Sequence, residues 1–227
     1  NCGLINAIGL PNPGIDEYVN EIRNMRIALT VPLVASVYGF SAEEYATVSE
    51  KAVDAGADAV ELNVSCPHVR ETGSEIGNDP KILKGVVKKV KAKVSKPVFV
   101  KLSPNVASIA DIAEAAAKAG ADVLTAINTV KAMAIDIETA LPILANTIGG
   151  LSGPALKSIA LRCVYDAYQR VKVPIVGCGG VTNWRDAVEF FLAGASAVQI
   201  GTAVALKGSN VFKAVTRGVE AYLKRKR

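Results

Sequence analysis

Residues 60–69 read VELNVSCPHV, a strand that stops on Ser65-Cys66-Pro67, where proline forbids further ladder pairing. A thiol at a strand end, opening the polar loop PHVRETGSEIGND, suits a base or a nucleophile. Loops of that length often act as lids. His68 lies two residues on, past the proline, and is read as a bystander. Lys101 interrupts the apolar run VFVKLSP. A cation there would stabilise the negative charge that develops on an electron-accepting ring. Asn6, Asn63 and Asn128 each offer donors and an acceptor in one plane, and three such amides suit a flat, heteroatom-rich ring. Gly177, Gly179 and Gly180 close one late strand, and Gly201-Thr202 closes the next. Backbone N–H groups at such turns face anions, and phosphate is their usual ligand. Each residue alone also has a plainer reading, as a snorkelling lysine, a capping amide or a turn glycine. Their joint position at strand ends is what points to chemistry.

The elements that carry these ends repeat. AGADAVEL from Ala55, AGADVLTAI from Ala119 and AGASAVQI from Ala193 each follow an alanine-rich helical stretch. Glycine past the last helical residue supplies a left-handed cap, and a β-branched strand follows. Three more strands, PLVASVY, PVFVKLS and VPIVGCG, fit the same rhythm as nearly continuous apolar runs, the mark of parallel strands covered on both faces. Ser-Ala-Glu-Glu from Ser41 makes a capping box. The pattern predicts six strands, near 32–38, 58–64, 97–102, 122–127, 173–178 and 197–201, in one α/β domain spanning residues 1–227. No Gly-x-Gly-x-x-Gly turn follows a first strand, which argues against a doubly wound sheet. A (β/α)8 TIM barrel wants eight strands, so the reading is such a barrel lacking its first two. Position 1 is asparagine, and GLINAIGLPNPG is read as a loop without a strand before it. An open parallel edge exposes unpaired backbone, so residues 1–227 alone are expected to aggregate and hold a cofactor poorly.

Half of the 227 residues are hydrophobic and the net charge is +5. That is a globular composition. It contains no apolar run of the roughly 20 residues that span a bilayer. The basic run 224–227 is read as a solvated tail rather than a nucleic-acid patch. Four scattered cysteines and a single histidine argue against a disulfide framework or a protein-held metal, and for a cytoplasmic chain.

Taken in order, NAIGLPNPG, ELNVSCP, VKLSPN, INT, GGLSGPALK, GCGGV and IGTA resemble class 1 dihydroorotate dehydrogenase. The segment IDIETALPILANTIGGLSGPALK resembles its NAD-linked branch. The resemblance implies an FMN-containing barrel that oxidises dihydroorotate to orotate in pyrimidine biosynthesis. It implies Cys66 as catalytic base, and Asn6, Ala7, Ile8, Gly9, Leu10, Asn63, Asn128 and Thr129 as substrate-binding residues. It implies FMN contacts at Ser36, Asn63, Lys101, Ile127, Gly153, Gly179, Gly180, Gly201 and Thr202. The partners implied are a second copy, as a homodimer, and a separate subunit carrying FAD and a [2Fe–2S] cluster. Neither nucleic acid nor membrane is implied. Two positions depart from the family: His68 where relatives usually show asparagine, and Ser36 where many have asparagine. The family's chain also begins earlier, with two strands and a substrate-binding lysine. A related FMN barrel acting on another pyrimidine, such as a dihydropyrimidine dehydrogenase domain, shares the cysteine loop and the flavin glycines. A non-catalytic flavin-binding scaffold would have no use for Cys66 or Lys101.

Overall fold

The computed structural model describes residues 2–65 and 76–226. Six parallel strands are β2 (Val34–Val37), β3 (Ala59–Asn63), β4 (Val98–Leu102), β5 (Val123–Ala126), β10 (Ile175–Cys178) and β11 (Ala197–Gln199). Their order is β11-β10-β5-β4-β3-β2. All six fall where the apolar runs predict them. The helices between them are α2 (Ala42–Asp54), α3 (Pro80–Lys93), α4 (Ile109–Lys118), α5 (Lys157–Tyr168) and α6 (Trp184–Leu192). Strand followed by helix, always returning parallel, is the TIM-barrel repeat, with six such strands among the described residues.

The repeat has a local cause. After α2, α4 and α6 the chain turns through Gly56, Gly120 and Gly194, at φ 115°, 103° and 110°. Each turn makes the same pair of bonds. The glycine N–H reaches Val53, Ala117 or Phe191, and the next alanine N–H reaches Ala52, Ala116 or Phe190, at 2.9–3.1 Å. That is a Schellman cap, which a β-carbon would strain. In two repeats the residue that follows is an aspartate that clasps the strand beside it. Asp58 accepts from Leu33 N–H at 2.8 Å, and Asp122 from Val98 N–H at 2.7 Å.

The chain forms two compact units. One comprises residues 10–125 and 170–174 and holds α1 (Ile15–Ala28), β2, β3 and β4. Its core is built by the apolar faces of the helices: Leu83, Val86, Val87 and Val90 recur at helical spacing on α3, and all are buried. The lysines of α3 occupy its other face, with Asp79 capping its start. The other unit comprises residues 1–9, 126–169 and 175–227. It holds β10, β11, α5, α6, α7 (Thr202–Lys207) and α8 (Asn210–Lys226).

That second unit departs from the sequence reading. The stretch read as a loop without a strand contains β1 (Leu4–Asn6), paired antiparallel with β9 (Gly149–Ser152) through Leu4↔Ser152 and Asn6↔Gly150. On its other edge β9 pairs with β6 (Val130–Ala132). A separate ribbon joins β7 (Ile135–Asp136) to β8 (Leu141–Pro142). Strands of two to four residues, one of them Gly-Gly-Leu-Ser, carry no propensity signal, and the β1–β9 pairing is far from local. The basic run is also not a tail: Lys224, Arg225 and Lys226 are the last turn of α8. Cations there complement the helix dipole.

Candidate active site

In the unit of residues 10–125, register sets the neighbours. Ser36 on β2 stands beside Glu61 on β3, and Asn63 on β3 beside Lys101 on β4. Alternate residues of a strand share a face, so Glu61 and Asn63 look the same way while Val60 and Leu62, both fully buried, look the other. Lys101 Nζ lies 3.6 Å from Glu61 Oε1, with 21% of the lysine side chain exposed and 5% of the glutamate's. Thr125 Oγ1 on β5 donates to Glu61 Oε2 at 2.6 Å. The strand end is held from behind by α2, whose buried Tyr45 donates its hydroxyl to the Asn63 carbonyl at 2.7 Å. Just past the end of β4, buried Ser103 Oγ accepts from Asn105 N–H and Nδ2 at 3.3 and 3.2 Å. Leu10 belongs to this unit as well, its carbonyl accepting from Asn12 Nδ2 and from the Tyr38 hydroxyl.

Glu61 is the residue that sequence reasoning missed. The signal was present: an acidic residue in the middle of AVELN, a strand buried along almost its whole length. Charges so placed are paired, because an isolated buried carboxylate is too costly.

The other unit assembles glycines. Asn6 ends β1 opposite Gly150, and a β-carbon on Gly149 would stand 2.6 Å from the Asn6 carbonyl oxygen. One on Gly150 would overlap the Thr129 side chain. Thr129 N–H donates to Asn128 Oδ1 at 2.8 Å. Beyond β9, Gly153 (φ 93°) lies between Gly3 and Thr202, and Thr202 Oγ1 donates to Ser152 Oγ at 2.8 Å. A β-carbon on Gly180 (φ 78°) would come within 2.9 Å of the Gly153 carbonyl oxygen. On Gly179 it would come within 2.7 Å of Ala160 Cβ, whereas Gly201 faces open space, with nothing within 4 Å of that position. The turns after β9 and β10 therefore meet backbone to backbone, and the turn after β11 reaches them through the Thr202 side chain, beside an open glycine at the start of α7. Ile127 is packed rather than open: its side chain is buried and its N–H donates to Cys178 O at 2.8 Å. Ala7, Ile8 and Gly9 continue from Asn6, with Ile8 largely exposed.

The turn after β10 is tied down by Asp186. Its Oδ2 accepts from Thr182 N–H and Oγ1 at 2.9 Å each, and from Asn183 Nδ2 at 2.7 Å. Its Oδ1 accepts from Lys157 Nζ at 2.9 Å. Burial pushes this carboxyl up, but the Lys157 and Thr182 hydrogen bonds outweigh it and hold Asp186 below the usual carboxylate range. The same contact with Asp186 raises Lys157. Of the thiols, Cys163 is fully buried and burial raises it, which makes it inert packing. Cys66, His68 and the loop read as a lid lie outside the described residues.

Parallel strands alternating with helices, with polar side chains and glycine turns following their C-terminal ends, define a βα-barrel enzyme. Comparison with known proteins gives its family. The family model described as dihydroorotate dehydrogenase matches residues 1–223. The catalytic subunit of dihydroorotate dehydrogenase B (NAD(+)) from Pyrococcus horikoshii is 54% identical over 222 residues, 98% of this chain and 72% of that protein. The subunit of the same name from Methanocella arvoryzae is 50% identical over 224 residues, 99% of this chain and 73% of that protein. The chain belongs to the dihydroorotate dehydrogenase family, as its motifs led one to expect, and is an oxidoreductase.

Proposed function

We propose that this chain is the catalytic subunit of an NAD-linked dihydroorotate dehydrogenase, oxidising dihydroorotate to orotate in pyrimidine biosynthesis within the cytoplasm. What carries the reading is the family match over nearly the whole chain. Residues 1–227 then act as one flavin-binding domain. FMN fits the groups present: glycine turns packed so closely that β-carbons would clash, with Gly201 open beside them, and a cation in an otherwise apolar strand. FMN, when bound, supplies the two-electron acceptor. Gly153, Gly179, Gly180, Gly201 and Thr202 would hold it, with Ile127 as an apolar contact. Ser36, Asn63 and Lys101 are the other contacts proposed for it. Backbone N–H groups at the glycine turns suit its phosphate, and the Lys101 ammonium favours the reduced ring.

Substrate would be oriented by Asn6, Ala7, Ile8, Gly9, Leu10, Asn63, Asn128 and Thr129, the amides pairing with ring N–H and C=O groups. Cys66 takes a proton from a substrate ring carbon as general base. Electrons leave through a second subunit carrying FAD and a [2Fe–2S] cluster, docked on a homodimer of this chain. An assembly agrees with the β7–β8 ribbon, around which Met133, Ile135, Ile137, Leu141, Ile143 and Ile148 are exposed. The deciding experiment is turnover of dihydroorotate by the flavin-loaded protein against the Cys66→Ser variant. A wild type that holds FMN yet leaves dihydroorotate untouched would sink the reading.

A further inference from the structure

The buried acid on β3 has no part in the function proposed so far. Strands two apart in a sheet lie roughly 9–10 Å from each other. Yet Thr125 on β5 reaches Glu61 on β3 at 2.6 Å, across β4. Side chains from alternate strands meet in this way only on the concave face of a barrel sheet, where they form one interior layer. Such layers are normally aliphatic. Here one is acidic, and the ammonium of the strand between, Lys101, stands over it at 3.6 Å.

A carboxylate 5% exposed is costly to keep charged without partners, and Lys101 and Thr125 are partners of two different kinds. The threonine hydroxyl fixes one carboxylate oxygen by a short bond. The other oxygen is thereby aimed at the lysine. Lysine is a point charge on a flexible four-carbon stem, so without an anchor its ammonium would range over several ångströms. The anchor also balances its charge.

We propose that Glu61 is a positioning residue: oriented by Thr125, it sets the place and the effective charge of the Lys101 ammonium at the flavin. This rests on the proposed flavin role of Lys101. Glu61 need not touch flavin or substrate to do so. Its removal releases the ammonium from the acid, so that the lysine's positive charge acts more strongly on a reduced, negatively charged ring.

The test is a double-variant cycle on the flavin midpoint potential of the holoenzyme, with Glu61→Gln, Lys101→Met, the pair, and Thr125→Val. Glu61→Gln should move the potential upward and Lys101→Met downward. In the Lys101→Met background Glu61→Gln should have a clearly smaller effect, because the part of its action that runs through the lysine is gone. Thr125→Val should shift the potential in the same direction as Glu61→Gln, and by less, because the acid is loosened rather than removed. Equal shifts by Glu61→Gln with and without the lysine would overturn the inference, making Glu61 an independent charge. So would an unchanged potential with only a lowered melting temperature, which marks a structural core pair. Should Glu61→Gln fail to fold, an unshifted potential in Thr125→Val decides against it. A holoenzyme whose potential Lys101→Met leaves unmoved refutes the flavin role of Lys101 instead, and the two failures are distinct.

Discussion

At the scale of single residues, the proposed chemistry concentrates on one thiol. General-base catalysis is worth about 10²–10⁴ in rate, and a serine hydroxyl is far harder to deprotonate than a thiol. Cys66→Ser should keep its flavin spectrum while losing at least about 100-fold in turnover at pH 7, with part of the rate returning as pH rises. Wild-type turnover in that variant at pH 7 removes Cys66 from the role. Asp186 makes a second residue-scale case, because a carboxyl held below its unfolded value stabilises the fold above about pH 4 and ceases to do so as pH falls through its folded pKa. Asp186→Asn should therefore cost about 3 kcal/mol in urea unfolding at pH 7, and the gap from wild type should narrow below about pH 4. Lys157 works in the opposite sense: raised by Asp186, it contributes fully below its ordinary value of 10.5 and loses that contribution only as pH rises beyond it. A gap between Asp186→Asn and wild type that stays constant into acid would mean the carboxylate is not what holds the Thr182 turn.

At the scale of elements, the triplicate helix–glycine–strand unit separates two effects that usually coincide. A β-carbon on Gly120 would meet only the flexible Lys91 side chain, at 3.6 Å, so Gly120→Ala tests the backbone conformation alone. That should cost about 1–2 kcal/mol. On Gly194 it would also run into the Tyr168 ring, with Cδ2 at 2.6 Å. Gly194→Ala should lower the melting temperature clearly further than Gly120→Ala, and equal losses would show that Tyr168 moves aside at no cost. These caps were legible in advance because they are local. AGAD and AGAS carry the turn within four residues. The antiparallel β1–β9–β6 sheet was not, since its short strands pair across the length of the chain and one of them is half glycine.

At the scale of the molecule, the question is where the electrons go. The sequence offers no Gly-x-Gly-x-x-Gly turn for a dinucleotide and no cysteine spacing for a cluster. The catalytic chain alone should reduce artificial dyes with dihydroorotate yet scarcely reduce NAD, and adding the proposed FAD/iron–sulfur subunit should restore NAD reduction with unchanged dependence on Cys66. Full-rate NAD reduction by the lone chain would refute the need for a partner. The sequence by itself determined the parallel strands, their helices and caps, and the strand-end residues Asn63, Lys101, Gly179, Gly180 and Gly201, because periodicity, glycine placement and interrupted apolar runs are local signals. Only tertiary structure decided which side chains meet. Glu61, Lys101 and Thr125 sit on three different strands, and the turns carrying Gly153, Gly180 and Thr202 follow three others. Contacts between strands depend on register and on how the sheet bends, and neither is written in any single stretch of chain.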